Sequence, residues 1–151
     1  MSQVNFSNQN LPSFKSRIVN NEEFKSAQNM LEKMNSNDPD LEAFYRSLKA
    51  IKNDGENDVI EIKHPQNTDR YEVYVNGEKK EDRAISLASK GQSVIRALIR
   101  YASNNKVLPP VDEQRNLIDE LAQKLQELKE AYYSNISTKT NELCEEIKIS
   151  E

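Results

Sequence analysis

The residues best equipped for chemistry in this chain are His64, Cys144 and the run Ser89-Lys90-Gly91-Gln92-Ser93, with Arg96 and Arg100 one and two helical turns beyond it. An imidazole and a thiol form a base and nucleophile couple only when folding holds them within hydrogen-bond reach. His64, the single histidine, precedes Pro65 at what reads as a strand end, and Cys144, the single cysteine, lies far along the chain in what reads as a tail. The expectation is a surface turn histidine and a solvent-facing or loosely packed thiol, and no catalytic residue is assigned. One histidine with scattered carboxylates also lacks the clustered spacing of zinc or calcium ligands, so no metal site and no cofactor are expected.

Lys90, Arg96 and Arg100 raise a different chemistry. A glycine-containing turn opening a helix, followed by two arginines, could hold a phosphate or a lipid headgroup. The run lacks the second glycine and the Gly-Lys-Ser/Thr ending of a nucleotide-binding loop, and Lys90 precedes Gly91 instead of following it. The competing reading is an amphipathic helix with a solvated basic face. From Arg83 to Lys106 there are five bases and no acid, whereas from Val111 to the end ten acids face five bases. A basic helix followed by an acidic one can pair within the fold or meet an acidic partner. The overall net charge of −4 and the absence of aromatics interleaved with the basic stripe speak against nucleic acid as a partner.

The remaining signal is contact. Ile118, Leu121, Leu125, Leu128 and Tyr132 recur at alternating steps of three and four behind a Pro109-Pro110 stop. This is the seam of an amphipathic helix that must lie against something apolar, either its own domain or another protein. The seam is narrow with charged flanks, as an exposed coiled-coil surface is, and two heptads are short for a free-standing dimer. A homo-oligomer therefore remains an option beside a different partner.

The elements that would position these residues follow from periodicity. Residues 1–17 are polar and read as a flexible arm, residues 18–133 as one α+β domain, and residues 134–151 as an acidic tail or short helix. Asn20 or Asn21 caps a first helix with Phe24, Ala27, Leu31 and Met34 on one face, ending near Asn35. Asp38-Pro39-Asp40 opens a second, with Leu41, Phe44, Tyr45, Leu48 and Ile51 buried up to an Asn53-Asp54-Gly55 stop. The short connection predicts an N-terminal helical hairpin.

Period two then takes over at Ile60 and Ile62 and again at Tyr71, Val73 and Val75, giving a small antiparallel sheet of two strands. The positive-φ preference of Asn76-Gly77 suggests a tight turn into a short charged third strand over residues 78–81. Asp82 or Arg83 opens a helix to about Asn104 that is apolar over a wide arc, hence a buried central helix. Gly91 within it marks either a close helix contact or a restart of the element. Asp112 caps a final amphipathic helix to about Tyr133, with a kink or break over Ser134 to Asn141, where Ser, Thr and Asn compete for backbone bonds.

At 151 residues with 30% charged side chains, the chain can bury a single core by packing alone, since one cysteine excludes an internal disulfide. No run of about 18 apolar residues would span a membrane, and the first ten residues lack a signal-peptide layout, so a cytoplasmic location is expected.

The final residues, Asn141-Glu142-Leu143-Cys144-Glu145-Glu146-Ile147-Lys148-Ile149-Ser150-Glu151, resemble the C-terminal translocation signal of type IVB (Dot/Icm-type) bacterial effectors. They share its glutamate block and its hydrophobic residue third from the end. The resemblance covers about a tenth of the chain and implies delivery into a host cell, without specifying an activity there. The function expected from the whole sequence is non-catalytic binding of another protein, as an adaptor, chaperone-like subunit or modulator, through the C-terminal helix. The alternatives are anion binding through the basic helix, and an enzyme whose residues converge without a motif.

Overall fold

The computed structural model describes residues 15–35, 38–54, 56–84, 89–111, 113–122 and 124–149. In chain order the elements are β1 (Arg17–Val19), α1 (Glu22–Leu31), α2 (Pro39–Asn53), β2 (Val59–Lys63), β3 (Arg70–Val75), β4 (Glu78–Ala84), α3 (Lys90–Asn105), α4 (Glu113–Leu121), α5 (Gln126–Ile147) and β5 (Lys148–Ile149). The fold is α+β. Its sheet has five strands in the order β4-β3-β2-β1-β5, antiparallel from β4 to β2 and parallel from β2 through β1 to β5.

The β2-β3-β4 meander follows the alternation in the sequence. Ile60, Ile62, Tyr71, Val73 and Val75 are buried under the helices. The opposite face carries Arg70 bonded to Asp82 at 2.7 Å, Lys79 beside Glu72 at 3.2 Å, and Lys63 over the Tyr74 ring at 4.3 Å. Asn76 (φ 53°) and Gly77 (φ 87°) both adopt positive φ, as a two-residue hairpin turn requires. The sheet is larger than the two or three strands expected. β1 and β5 are too short to show a period, and they become strands only because each finds β1 or β2 alongside.

α1 and α2 start where their caps indicate. Asn21 accepts from the Phe24 amide at 3.0 Å and Asp38 from the Asp40 amide at 2.9 Å, with Pro39 at the first helical position. Gly55, read as part of the α2 stop, lies outside the described residues. The two helices do not form the expected hairpin. α3 packs against both of them and against β3 and β4, so α1 finds its main neighbour in α3 and α2 lies against both α3 and α5.

α3 is central, with Val94, Ile95, Ala97, Leu98, Tyr101 and Ala102 buried. It begins at Lys90 under a Ser89 cap, not at Asp82 or Arg83, because residues 78–84 pair with β3 as a longer strand than expected. Of the residues assigned to that earlier start, 85–88 lie outside the described residues. Both expectations for Gly91 hold together. It sits in the restarted first turn and against α1, where a Cβ would stand 2.4 Å from the Ser26 carbonyl oxygen.

The C-terminal part departs most from expectation. In place of one helix to about Tyr133 there are two, α4 ending at Leu121 and α5 beginning at Gln126, and the proposed Asp112 cap lies outside the described residues. No break occurs over Ser134 to Asn141, where α5 runs on to Ile147. The Thr140 hydroxyl donates to the Ile136 carbonyl at 2.7 Å and Thr138 to Ser134 at 3.3 Å. The hydroxyls thus satisfy themselves on the preceding turn without opening the helix. Tyr132, Ile136, Thr140, Leu143 and Ile147 form a buried stripe whose period is hidden by the polar Thr140 at its centre. At the other end of the chain Ser16 is buried and bonds to Asp54 and to the Asp58 amide, while the Arg17 amide donates to the Asp58 carbonyl at 2.8 Å.

Candidate functional site

The five seam residues divide between core and surface. Ile118 on α4 and Tyr132 on α5 are buried, Leu121 is half-buried, and Leu125 and Leu128 are 51% and 41% exposed. Leu117, which the stripe did not include, is 57% exposed on α4. The seam divides at Leu125, the residue before α5, whose φ of −135° and ψ of 72° are not helical and which caps α5 with no side-chain bond. Leu125 and Leu128 line one shallow recess with Lys124 and Ala131. Among the described residues the large exposed apolar side chains are Val59, Val107 and these three leucines, with Leu117 in a separate recess on α4 beside Glu113, Asn116 and Glu120.

α4 is held to the body through polar contacts as well as Ile118. Arg115 donates to the Glu42 carboxylate on α2 at 2.7 Å and to the Tyr133 hydroxyl at 3.3 Å, while the Tyr132 hydroxyl donates to the other Glu42 oxygen at 3.2 Å. Burial works against the Arg115 charge, but Tyr133 and Glu42 together hold its guanidinium above the ordinary arginine range.

The basic residues of α3 do not converge. Lys90 lies 3.5 Å from Glu23 of α1, Arg96 donates to Asp40 of α2 at 3.0 Å, and Arg100 is exposed on the next turn. The charges of Lys90 and Arg96 are met by acids of the N-terminal helices and not by the acidic C-terminal helix. Two acids of α5 have their own partners, Glu146 with Lys52 and Glu145 with Gln28 and Lys148.

His64 and Cys144 serve separate structural purposes. The His64 ring stacks on Tyr71 with centroids 4.3 Å apart, and its Nε2 lies 2.6 Å from the Thr68 carbonyl oxygen. Cys144 is fully buried in α5, contrary to the exposed or loose thiol expected, and burial pushes its pKa up to about 12. A thiol so held supplies no nucleophile at neutral pH. Among the described residues no three His, Cys, Asp or Glu side chains converge on a point that could hold a metal ion. No helix among them is long and apolar enough to cross a membrane.

One feature escaped the sequence reading. A cleft of about 710 Å³ lies where α2 and α3 end, with Asp54, Asp58 and Lys106 on its polar side and Val107, Leu108 and Pro109 on its apolar side. Lys106, whose side chain is only 8% exposed, is bonded to Asp54 and lies 3.7 Å from Asp58. Burial opposes its charge, yet the Asp54 bond and the neighbouring Tyr101, Asp54 and Asp58 raise its pKa. Asp54, Asp58 and Lys106 are thus spent on one another. Only their sequence separation concealed them, since Asp54 and Lys106 meet through the packing of α2 on α3.

No protein-family model matches this chain, and comparison with curated proteins and with solved structures finds no significant relative.

Proposed function

We propose that this protein is a non-catalytic interaction module that binds another protein through the α4–α5 shoulder. The observation that carries the reading is the exposure of Leu125 and Leu128, which line one recess at the start of α5 while Ile118 and Tyr132 of the same stripe are buried. Apolar side chains of this size held in water cost free energy that a partner would recover, at about 25 cal/mol per Å² covered. Ile118 and Tyr132 belong to the support of this surface and not to the surface itself. The basic α3 face carries less weight, because Lys90 and Arg96 already face carboxylates.

Capture by the intact tagged chain, compared with capture by a Leu125→Glu, Leu128→Glu double variant, tests the reading. A near-stoichiometric protein held by the first and lost by the second, with unfolding unchanged, supports it. Equal capture by both would remove the shoulder from the binding surface.

Delivery into a host cell rests on the tail resemblance, and its test has to respect the fold. Leu143, Cys144 and Ile147 are buried and Ile149 pairs with β1, so removing the last eleven residues would remove core. Substituting the exposed Glu142, Glu145 and Glu146 by glutamine in a translocation reporter leaves those apolar contacts in place. Loss of delivery would support a signal, and unaltered delivery would count against it.

A further inference from the structure

The break between α4 and α5 is not written into the residues around it. Leu121-Ala122-Gln123-Lys124-Leu125-Gln126-Glu127 contains no glycine, no proline and no β-branched residue, and every member is a good helix former. Helical bonding even continues into the break, with the Leu125 amide donating to the Leu121 carbonyl at 2.8 Å. What holds the bend is tertiary: Ile118 is buried on one side of it and Tyr132 on the other, and Arg115 reaches Glu42. Resting on the interaction reading above, we propose that α4 and the start of α5 straighten into one continuous helix when the protein binds, presenting Ile118, Leu121, Leu125 and Leu128 as a single seam to an amphipathic partner helix with acidic flanks.

The flanks identify the partner's chemistry. With those four residues at the a and d positions of a heptad, the flanking e and g positions are Arg115, Leu117, Ala122, Lys124, Lys129 and Ala131. They include three bases and no acid, while Asp119, Glu120, Glu127 and Glu130 fall on the outer positions. A second copy is a poor fit. In a parallel pair Lys124 would face Lys129 of its mate, and in an antiparallel pair the e and g rows would again meet with no acid between them. A partner helix carrying glutamates at those positions complements them. The closed form already shows the contact in miniature, since Arg115 takes Glu42 as its acid.

Gln126→Pro separates the two states. Proline suits the first position of α5 and keeps the preceding Leu125 out of the helical region, so the bent form accepts it. A continuous helix needs the Gln126 amide and would lose it. The probes are two synthetic three-heptad helices with leucine at a and d, one with glutamate and one with lysine at e and g. Their affinities would be measured by fluorescence anisotropy. The straight form should bind the glutamate peptide at least tenfold more tightly than the lysine peptide, and Gln126→Pro should weaken that binding at least tenfold with an unchanged unfolding midpoint. Spin labels at positions 113 and 130 should move to about 25 Å apart on binding, the length of 17 helical residues. Glu42→Gln, which loosens α4 without altering Ile118, Leu121, Leu125 or Leu128, should tighten binding severalfold.

Full binding by Gln126→Pro, with Leu125→Glu, Leu128→Glu still defective, would overturn straightening and leave the interaction reading intact. Binding of neither peptide, preference for the lysine peptide, or a concentration-dependent dimer would overturn the assigned partner. The broader reading stands or falls separately, on the capture experiment above.

Discussion

Arg115 and Glu42 meet at 2.7 Å across the joint between α4 and α2, and the same carboxylate accepts the Tyr132 hydroxyl from α5. Three helices are thus tied at one buried acid. Replacing Arg115 by methionine leaves Glu42 buried with one neutral donor, and such a loss costs about 3–5 kcal/mol for a fully enclosed pair. The guanidinium side is about a quarter exposed, so the expected cost here is smaller, about 2–3 kcal/mol. Urea unfolding of Arg115→Met measures it, and an unchanged midpoint would show that α4 does not depend on this contact.

Gly91→Ala should be among the more damaging small substitutions. The added methyl would meet the Ser26 carbonyl oxygen at 2.4 Å and Met30 Cβ at 2.7 Å, so α1 and α3 must separate. Overpacking of this kind costs about 1–3 kcal/mol, more than the helix propensity gained, which is up to about 1 kcal/mol. Thermal unfolding decides the sign, and a higher melting temperature would mean that the helices yield freely.

The seam should split in a substitution series as it splits in space. Leu125→Glu and Leu128→Glu alter exposed positions and should each change stability by no more than about 0.5 kcal/mol. Tyr132→Ala empties a buried site and removes one of the two donors on Glu42, with an expected loss of about 3 kcal/mol or more. Similar losses for all three substitutions would place the whole stripe in the core.

Cys144 should make the fold alkali-sensitive. Its folded pKa of about 12 lies above the ordinary thiol value, so the folded state binds the proton more tightly than the unfolded one. The stability from this group is complete below the unfolded thiol pKa, about 8.5, and is lost as pH rises from there through 12. Cys144→Ala should flatten that part of the pH profile. Iodoacetamide should leave the native thiol unmodified at pH 8 and label it in urea; rapid native labelling would contradict its burial.

Deleting residues 141–151 should abolish cooperative unfolding. The deletion removes the buried Leu143, Cys144 and Ile147 together with the β5 pairing to β1. At about 1.5–3 kcal/mol for each large buried side chain, the loss approaches the 5–15 kcal/mol stability typical of a whole domain. Far- and near-ultraviolet circular dichroism would show it, and an intact transition would mean that the C-terminal turns are dispensable.

What the sequence determined by itself was local. The caps at Asn21 and Asp38, the turn at Asn76-Gly77, the alternation in β2 and β3 and the wide apolar arc of α3 each depend on residues within a few positions of one another. Backbone bonding, dihedral preference and side-chain periodicity decide such features before any distant contact forms.

Only the tertiary structure decided the rest. β1 and β5 are strands because β2 and β1 lie beside them, and α1 and α2 are separated by α3 although a short connection joins them. Thr140 is buried within an unbroken α5, its hydroxyl satisfied on the Ile136 carbonyl, which a polar residue in a serine- and threonine-rich stretch does not announce. The candidate site divides in the same way. Periodicity located the Ile118 to Tyr132 stripe, but which of its members face water depends on a bend at Leu125 that no local preference encodes. That bend is held by the burial of Ile118 and by Glu42, a residue far away in sequence, because helix propensity is weaker than the packing that opposes it.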